Sequence, residues 1–88
     1  MDTYQKFYTY ILYSKKTNKY YIGSTQDINN RLHRHNSGHT PSTKSGIPWE
    51  MKYHEEYSTR AEAMNREMYI KSQKSKKYIE KLISSSDG

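Results

Sequence analysis

The sequence predicts a small α/β (α+β) domain in which helices flank a three-stranded antiparallel sheet, in the order β-β-α-β-α-α. Three segments are rich in aromatic and branched residues, as strands are. Between and after them, apolar residues recur at helical spacing behind capping residues. The chain has 88 residues, a length that suits one domain. We therefore expect a single domain over 1–88, with a core at about 7–83 and a frayed tail at 84–88.

The first two strands are expected to form a hairpin. The run Phe7–Tyr13 is aromatic and branched, and Tyr20–Gly23 has the same character after a short polar turn. A turn centred between the two runs places Leu12 opposite Tyr21. Tyr10 is then a diagonal neighbour of Tyr21 on the same face of the sheet.

A helix is expected to follow the hairpin. Asp27 or Thr25 is positioned to cap its N-terminus, and the helical spacing extends to about His35. Ile28 and Leu32 lie four residues apart and are expected to face inward.

A polar loop and a third strand come next. The segment 39–48 carries Ser, Thr, Pro and Gly and is expected to be a loop. The third strand is predicted at Trp49–Tyr57, because the alternation of Trp49, Met51 and Tyr53 is typical of one face of a strand.

Two helices are expected to complete the fold. Thr59 and Glu62 have the spacing of a capping box, and a basic break at 72–77 separates this helix from a short last one. The residues at helical spacing are Ala63, Met64, Glu67 and Ile70 in the first of these helices, and Tyr78, Ile79, Leu82 and Ile83 in the second.

Composition restricts the class of protein. The net charge of +6, from 15 Lys and Arg against 9 Asp and Glu, suggests a polyanionic partner such as nucleic acid, but a merely solvated basic surface would show the same charge. The absence of Cys excludes disulfides and thiolate metal sites. Leu and Ile are few and Val is absent, so ten Tyr are expected to build much of the core. Without a signal peptide or a membrane-spanning run, we expect a cytoplasmic, intracellular protein.

Five residues have the chemistry that cleavage of a phosphodiester needs. This reaction needs a group that activates water, a cation that offsets the charge on the phosphate, and a carboxylate where a metal is used. Tyr10 and Tyr21 place two phenols on one face of the hairpin. Arg31 and His35, four apart, share a face of the first helix, and Glu67 lies on the second.

Each of these residues also has an ordinary structural alternative. The tyrosines could be core residues, and Arg31 could be a solvated helix residue. His35 could satisfy carbonyls at the end of the helix, and Glu67 could pair with Lys71 one helical turn away. Zinc is disfavoured, because the four His have no Cys beside them and no HExxH motif.

Short motifs in a fixed order give these residues a family context. Tyr8-Thr9-Tyr10 is followed by Tyr21-Ile22-Gly23-Ser24-Thr25, Asp27, Arg31-Leu32, His35-Asn36-Ser37-Gly38, Pro48-Trp49, Ala61-Glu62-Ala63 and Arg66-Glu67. In this order and spacing the chain resembles the GIY-YIG nuclease family, and in particular its small single-domain branch related to the nuclease module of nucleotide-excision repair. The resemblance covers roughly residues 7–83.

The resemblance implies a metal-dependent endonuclease that hydrolyses phosphodiester bonds in DNA. It makes Tyr10 the general base or the phenol that orients water, and Tyr21 a second phenol that supports the phosphate or Tyr10. Arg31 would hold the phosphate, and His35 would hydrogen-bond a tyrosine or relay a proton. Glu67 would bind Mg²⁺ or Mn²⁺. The alternatives are a noncatalytic, basic nucleic-acid-binding module of the same fold and, less favoured, a Tyr-rich protein adaptor.

The chain departs from the family pattern in two places. Tyr8 stands where the first motif has its Gly, as in many small relatives. The Asn that many members carry well after the metal-binding Glu is absent from 71–83, where Gln73 is the nearest substitute.

Basic residues outside the five are candidate phosphate contacts. They are Lys15, Lys16, Arg34, Lys44 and Lys74. Because no separate DNA-binding domain is attached, specificity is expected to be weak or to come from a protein partner or a homodimer.

Overall fold

The computed structural model describes residues 5–86. Along the chain it contains β1 (Phe7–Ser14), β2 (Lys19–Thr25), α1 (Ile28–Asn36), a 3-10 helix (Pro41–Gly46), β3 (Trp49–Tyr57), α2 (Arg60–Ser72) and α3 (Lys76–Ser86). The predicted order of strands and α-helices is confirmed, and the 3-10 helix lies in the segment predicted to be a loop. No helix among the described residues is long and apolar enough to cross a membrane.

The predicted frayed tail is partly wrong. Residues 84–86 form the last turn of α3, because the inward-facing Leu82 and Ile83 pack on the core and carry the helix past them. The remaining tail residues 87–88, and residues 1–4 at the other end, lie outside the part of the chain that the structure describes.

The three strands form one antiparallel sheet in the order β2-β1-β3. The predicted hairpin register is confirmed, with Leu12 opposite Tyr21. Because β1 is the central strand, its residues from Thr9 to Leu12 are almost completely buried. β2 and β3 are the edge strands of the sheet.

The two faces of the sheet carry separate core clusters. Side chains alternate between faces along a strand, so neighbours on β1 belong to different clusters. Ile11 packs with Ile22, Ile70 and Ile79, beneath α2 and α3. On the opposite face Tyr10 and Leu12 pack with Trp49, and Leu32 of α1 and Tyr21 lie against them.

The predicted single face of β3 is wrong because a β-bulge interrupts the strand. Ile11 pairs with Tyr53, whereas the next residue, Leu12, pairs with Met51, so Lys52 is the extra residue. Met51 consequently packs on the same side as Leu12, and Tyr53 packs on the opposite side against Ile11.

Both predicted helix starts are confirmed. Asp27, one of the two candidate caps, closes the N-terminus of α1 and accepts a hydrogen bond from the backbone N–H of Asn30 at 3.0 Å. Thr59 and Glu62 form the capping box of α2. The end of α1 is closed by Gly38, whose φ of +82° is one that L-residues rarely adopt.

A half-buried ion pair fixes α2 on the sheet. The guanidinium of Arg66 donates from Nε and a terminal nitrogen to the two oxygens of Glu55 on β3, at 2.8 and 3.1 Å. The hydroxyls of Tyr53 and Tyr57 also donate to this carboxylate. Burial opposes ionisation, but these hydrogen bonds outweigh it and lower the pKa of Glu55. With Arg66 held on β3, the next residue, Glu67, is turned toward β2.

Candidate active site

The hairpin places the ring of Tyr10 directly over Gly23. The two residues are register partners on β1 and β2. A Cβ atom at position 23 would lie 2.5 Å from the Tyr10 hydroxyl oxygen and 2.7 Å from Cζ. Both distances are shorter than any ordinary contact, so this position of the Tyr10 ring requires glycine at position 23.

Three side chains form a hydrogen-bonded row that ends on the backbone. The Tyr10 hydroxyl is 3.1 Å from Nε2 of His35, and Nδ1 of His35 is 2.9 Å from Oγ1 of Thr43. The Thr43 hydroxyl donates its one hydrogen to the carbonyl of Thr40 at 3.2 Å. It must therefore accept from Nδ1–H, and Nε2 is left to accept from Tyr10. The Tyr10–His35–Thr43 row thus holds His35 as the neutral Nδ1–H tautomer.

Burial keeps this row uncharged at neutral pH. Burial, with smaller effects from Tyr21 and Glu67, raises the pKa of Tyr10 to about 12 against the opposing effect of Arg31. Burial also lowers the pKa of His35, and the nearby cations Arg31 and Arg34 lower it further. A phenol and an imidazole are therefore present, rather than a phenolate and an imidazolium.

Tyr21 supplies the accessible phenol. Its ring centroid lies 4.8 Å from that of His35 and 6.4 Å from that of Tyr10. Tyr10 is 1% exposed, whereas Tyr21 is only half-buried. The Tyr21 hydroxyl forms no hydrogen bond with any residue in the described range 5–86, so it is free to accept one from water or donate one to a phosphate.

Arg31 carries an unused donor at the same place. Its Nε is buried and has no hydrogen-bond partner among residues 5–86. A buried N–H without a partner costs about 1–3 kcal/mol, so an acceptor that enters the site would be bound favourably. The effects of Arg31 on the pKa values of Tyr10 and His35 show that its charge lies close to the row.

Glu67 reaches the hairpin from α2. Its Oε1 accepts a hydrogen bond from Ser24 Oγ at 2.8 Å, and its Oε2 is 2.6 Å from the ammonium of Lys71, so the predicted pair with Lys71 is present. Ser24 and Gly23 are successive residues, so Glu67 and Tyr10 meet β2 from opposite faces. Glu67 nevertheless lies close enough to Tyr10 to add to the effect of burial in raising its pKa, so the two side chains border one region of the edge strand β2.

The donor set suits a divalent cation that is held weakly. No group of three or more His, Asp or Glu poised around one point occurs in the part of the chain that the structure describes. Glu67 alone offers two carboxylate oxygens, each with one hydrogen bond and a remaining lone pair. Mg²⁺ accepts oxygen ligands and keeps several waters, so one carboxylate together with a substrate phosphate is a sufficient set. Lys71 would have to move aside, which is easy for a side chain 51% exposed.

The five predicted phosphate contacts do not form one patch. Lys15 lies in the hairpin turn, 3.9 Å from Glu50, and Lys16 is exposed beside it. Arg34 is in the last turn of α1 and Lys44 on the 3-10 helix, at the end of the molecule that carries the Tyr10–His35–Thr43 row. Lys74 lies between α2 and α3.

Sequence reasoning missed two residues that hold the site together. Ser24 was quoted only as part of a motif, although its alternation with Ile22 on β2 places it on the face that α2 covers. Thr43 lies in a segment predicted to be a loop, and no local pattern marked its hydroxyl as the partner of His35.

The comparisons with known proteins agree with the family indicated by the motifs. The family model described as the GIY-YIG catalytic domain matches residues 6–79. The UPF0213 protein YazA of Bacillus subtilis is 41% identical over 69 residues, which cover 74% of this chain and 70% of that protein. A UPF0213 protein of Staphylococcus saprophyticus is 38% identical over 80 residues, which cover 90% of this chain and 95% of that protein.

A solved structure supports the same assignment. The solution NMR structure of a UPF0213 protein from Bacillus halodurans has a TM-score of 0.59 and 30% sequence identity. The match covers 94% of this chain and 87% of the other. The names of these relatives state no reaction, so they support the family and the fold.

Proposed function

Because this chain belongs to the GIY-YIG catalytic domain family, we propose that it is an endonuclease that hydrolyses phosphodiester bonds in DNA with Mg²⁺ or Mn²⁺. The observation that carries the proposal is the buried, unpartnered Nε of Arg31 beside a neutral row of Tyr10, His35 and Thr43. A donor left without a protein partner at this point can bind a phosphate oxygen that enters the site.

Arg31 binds the phosphate in this proposal. Its guanidinium offers parallel donors that match phosphate oxygens, and its charge offsets the charge that builds up during attack. A lysine in its place would keep the charge but lose the planar set of donors.

Tyr21 is the phenol that contacts the attacking water. Its hydroxyl is free and half-exposed, whereas the Tyr10 hydroxyl is buried and donates to His35. Tyr10 and His35 then act as positioning residues, because their rings fix the place and tilt of the Tyr21 ring. This division refines the expectation that Tyr10 itself orients the water.

Glu67 is the metal ligand. A bound Mg²⁺ or Mn²⁺ would supply a positive charge against the phosphate oxygens and make a coordinated water easier to deprotonate. Ser24 orients the carboxylate through its hydrogen bond to Oε1.

The test is cleavage of labelled single-stranded, duplex and branched DNA, and of RNA, with Mg²⁺, Mn²⁺ or EDTA. We expect cutting that needs the metal, and losses of about 100-fold or more in Glu67→Gln, Arg31→Lys and Tyr21→Phe. Tyr10→Phe is expected to lose less activity and to lower the thermal midpoint, because it removes a buried hydrogen bond.

Matched controls separate these effects from general damage. Glu56→Gln removes an exposed carboxylate on β3, and Tyr69→Phe removes an exposed hydroxyl on α2. Both should cut like the wild type. Full cutting by Glu67→Gln would exclude the metal assignment, and equal losses in Tyr21→Phe and Tyr10→Phe would exclude the division of roles between the two tyrosines.

A second candidate function is a noncatalytic module that binds nucleic acid. The observation in its favour is the 2.6 Å contact that gives the Glu67 carboxylate a cation of its own, Lys71. Lys71→Met keeps the aliphatic side chain and removes the charge. If the protein is a nuclease, the Lys71→Met variant should bind Mn²⁺ more tightly than the wild type in calorimetry. If it is a binding module, the variant should gain no affinity for the metal, and the protein should cut no substrate with any metal.

The biological role follows from the same proposal. The candidate phosphate contacts do not form one patch, so the protein is expected to cut with weak sequence specificity, or to gain specificity from a partner or a second copy. A repair substrate such as a branched or damaged duplex fits the resemblance. A strict long recognition sequence in the cleavage products would contradict weak specificity.

A further inference from the structure

A basic depression of about 330 Å³ lies where the β1–β2 turn meets the connection between α2 and α3. Three cations from separate parts of the chain line it: Lys19 from β2, Lys74 from the connection, and Lys76 from α3. Its apolar floor is formed by Tyr20 and Ile79. No Asp or Glu is among the described residues that line it.

The backbone around this depression is unusual. In the described range 5–86, only Asn18 and Lys74 have a positive φ without being glycine, at 58° and 47°. Both line the depression, and the ammonium of Lys76 donates to the carbonyl of Asn18 at 3.3 Å. Asn commonly adopts this conformation in a turn, whereas Lys does so at a cost in free energy.

The first turn of α3 is also basic. Lys76 and Lys77 occupy its first turn, which contains no acidic residue. The N-terminus of a helix is already the positive end of its dipole, so two cations there repel it. An anion in the depression would relieve this repulsion. Burial and the carboxylate of Glu80 together raise the pKa of the Tyr20 phenol, so Glu80 lies close to Tyr20.

The depression lies on the same strand as the candidate active site. Tyr20 and Ser24, which holds Glu67, are four residues apart on the same face of β2, a separation of roughly 13 Å at the usual rise of a strand. A stretch of that length spans a few nucleotides of nucleic-acid backbone.

We infer that this depression is a second phosphate-binding site, which holds the backbone of the nucleic-acid substrate a few nucleotides from the bond that is cut. The inference rests on the proposed nuclease function for the position of the cut. It depends on the depression alone for the binding of phosphate. Tyr20 and Ile79 would pack against the sugar next to the bound phosphate.

The test compares two pairs of charge-removing substitutions. Lys19→Gln with Lys74→Gln removes two cations from the depression. Lys52→Gln with Lys81→Gln removes two exposed cations elsewhere on the surface. Affinity for a labelled duplex is measured in EDTA, where no metal-dependent cutting occurs, at salt concentrations from about 50 to about 200 mM.

Substituting Lys19 and Lys74 should weaken the dependence of duplex affinity on salt concentration. The loss of one phosphate contact lowers the slope by about 0.9, so the fall in affinity becomes about 3.5-fold smaller over a fourfold rise in salt. The control pair should keep the wild-type slope. Equal slopes in the two pairs would overturn the inference, even if the protein cuts DNA.

Substrate length provides a second readout with magnesium present. In the wild type, cutting should weaken when the duplex is shortened on one side of the cut until its backbone no longer reaches the depression. The Lys19→Gln, Lys74→Gln protein should be insensitive to that shortening. Retained length dependence in this variant would contradict the inference. A protein that binds with the expected slope but cuts nothing would instead contradict the proposed nuclease function alone.

Discussion

At the scale of single residues, Gly23 decides whether the site can form. The Tyr10 ring occupies the space where any other residue would have its Cβ. The sequence motif marks this glycine by resemblance, and the geometry supplies the physical reason. The burial of Tyr10 could not be predicted in this way. It depends on the pairing of β1 with β3, whose residues lie more than 40 positions further along the chain, so the hairpin sequence gives no sign of it.

Gly23→Ala should therefore abolish most cleavage and destabilise the protein. The added methyl group forces the Tyr10 ring away from His35, and overpacking of this kind costs about 1–3 kcal/mol. The measurements are the thermal midpoint and the cleavage rate at a temperature where the variant is folded. Gly38→Ala is the matched control, since its positive φ makes alanine cost about 1–2 kcal/mol without any contact to Tyr10. If Gly38→Ala loses as much activity as Gly23→Ala, the effect is one of stability and the argument for Gly23 is wrong.

At the scale of secondary-structure elements, much of the fold could be predicted because local patterns decide it. β3 begins and ends where the sequence indicates, and both predicted caps are present. The bulge at Lys52 could not be predicted, because it arises from the register in which β3 pairs with β1, which exists only in the folded sheet. The 3-10 helix was missed for a similar reason, as its position depends on contacts with Trp49 and His35 that are made only in the folded chain.

Asn36 is the residue that joins these elements. Its side chain at the end of α1 accepts from the backbone N–H of Trp49 at 2.6 Å and donates to the Trp49 carbonyl at 3.1 Å. The Trp49 ring in turn donates to the carbonyl of Thr43 at 2.7 Å, which holds the 3-10 helix and the partner of His35. Asn36 was quoted in the motif without a role, and its spacing gives no sign of this one.

Asn36→Ala should separate the end of α1 from the start of β3. Two partly buried hydrogen bonds are lost, for a cost of about 1–3 kcal/mol. Urea unfolding followed by the fluorescence of Trp49, the one Trp of the chain, measures this cost. The emission of the folded variant should also shift to the red as the indole becomes wetter. Asn29→Ala, at an exposed position on the same helix, should change neither quantity; an Asn36→Ala protein as stable as this control would show that the clamp contributes nothing.

At the scale of the whole molecule, the stability of the fold and the hydrogen bonds of the site both depend on whether His35 is protonated. His35 is buried and its pKa is lowered, while Tyr10 and Thr43 use both of its nitrogens. Protonating Nε2 would remove the acceptor of the Tyr10 hydroxyl and place a charge near Arg31. His35 in the folded protein therefore binds a proton only at a lower pH than it does in the unfolded chain, where the pKa of His is about 6.5.

The free energy of unfolding should consequently fall as the pH is lowered from about 7.5 to about 5. The unfolded state binds more protons than the folded state in this interval, so stability rises with pH and is lost as the pH falls below the ordinary His value. Urea unfolding at several pH values measures the slope. His35→Gln should be less stable at neutral pH but nearly flat over the interval, since glutamine does not titrate. His39→Gln, which changes an exposed histidine, should keep the wild-type slope. A wild-type slope in His35→Gln would mean that another group binds the proton, and that the neutral row does not link the site to the stability of the fold.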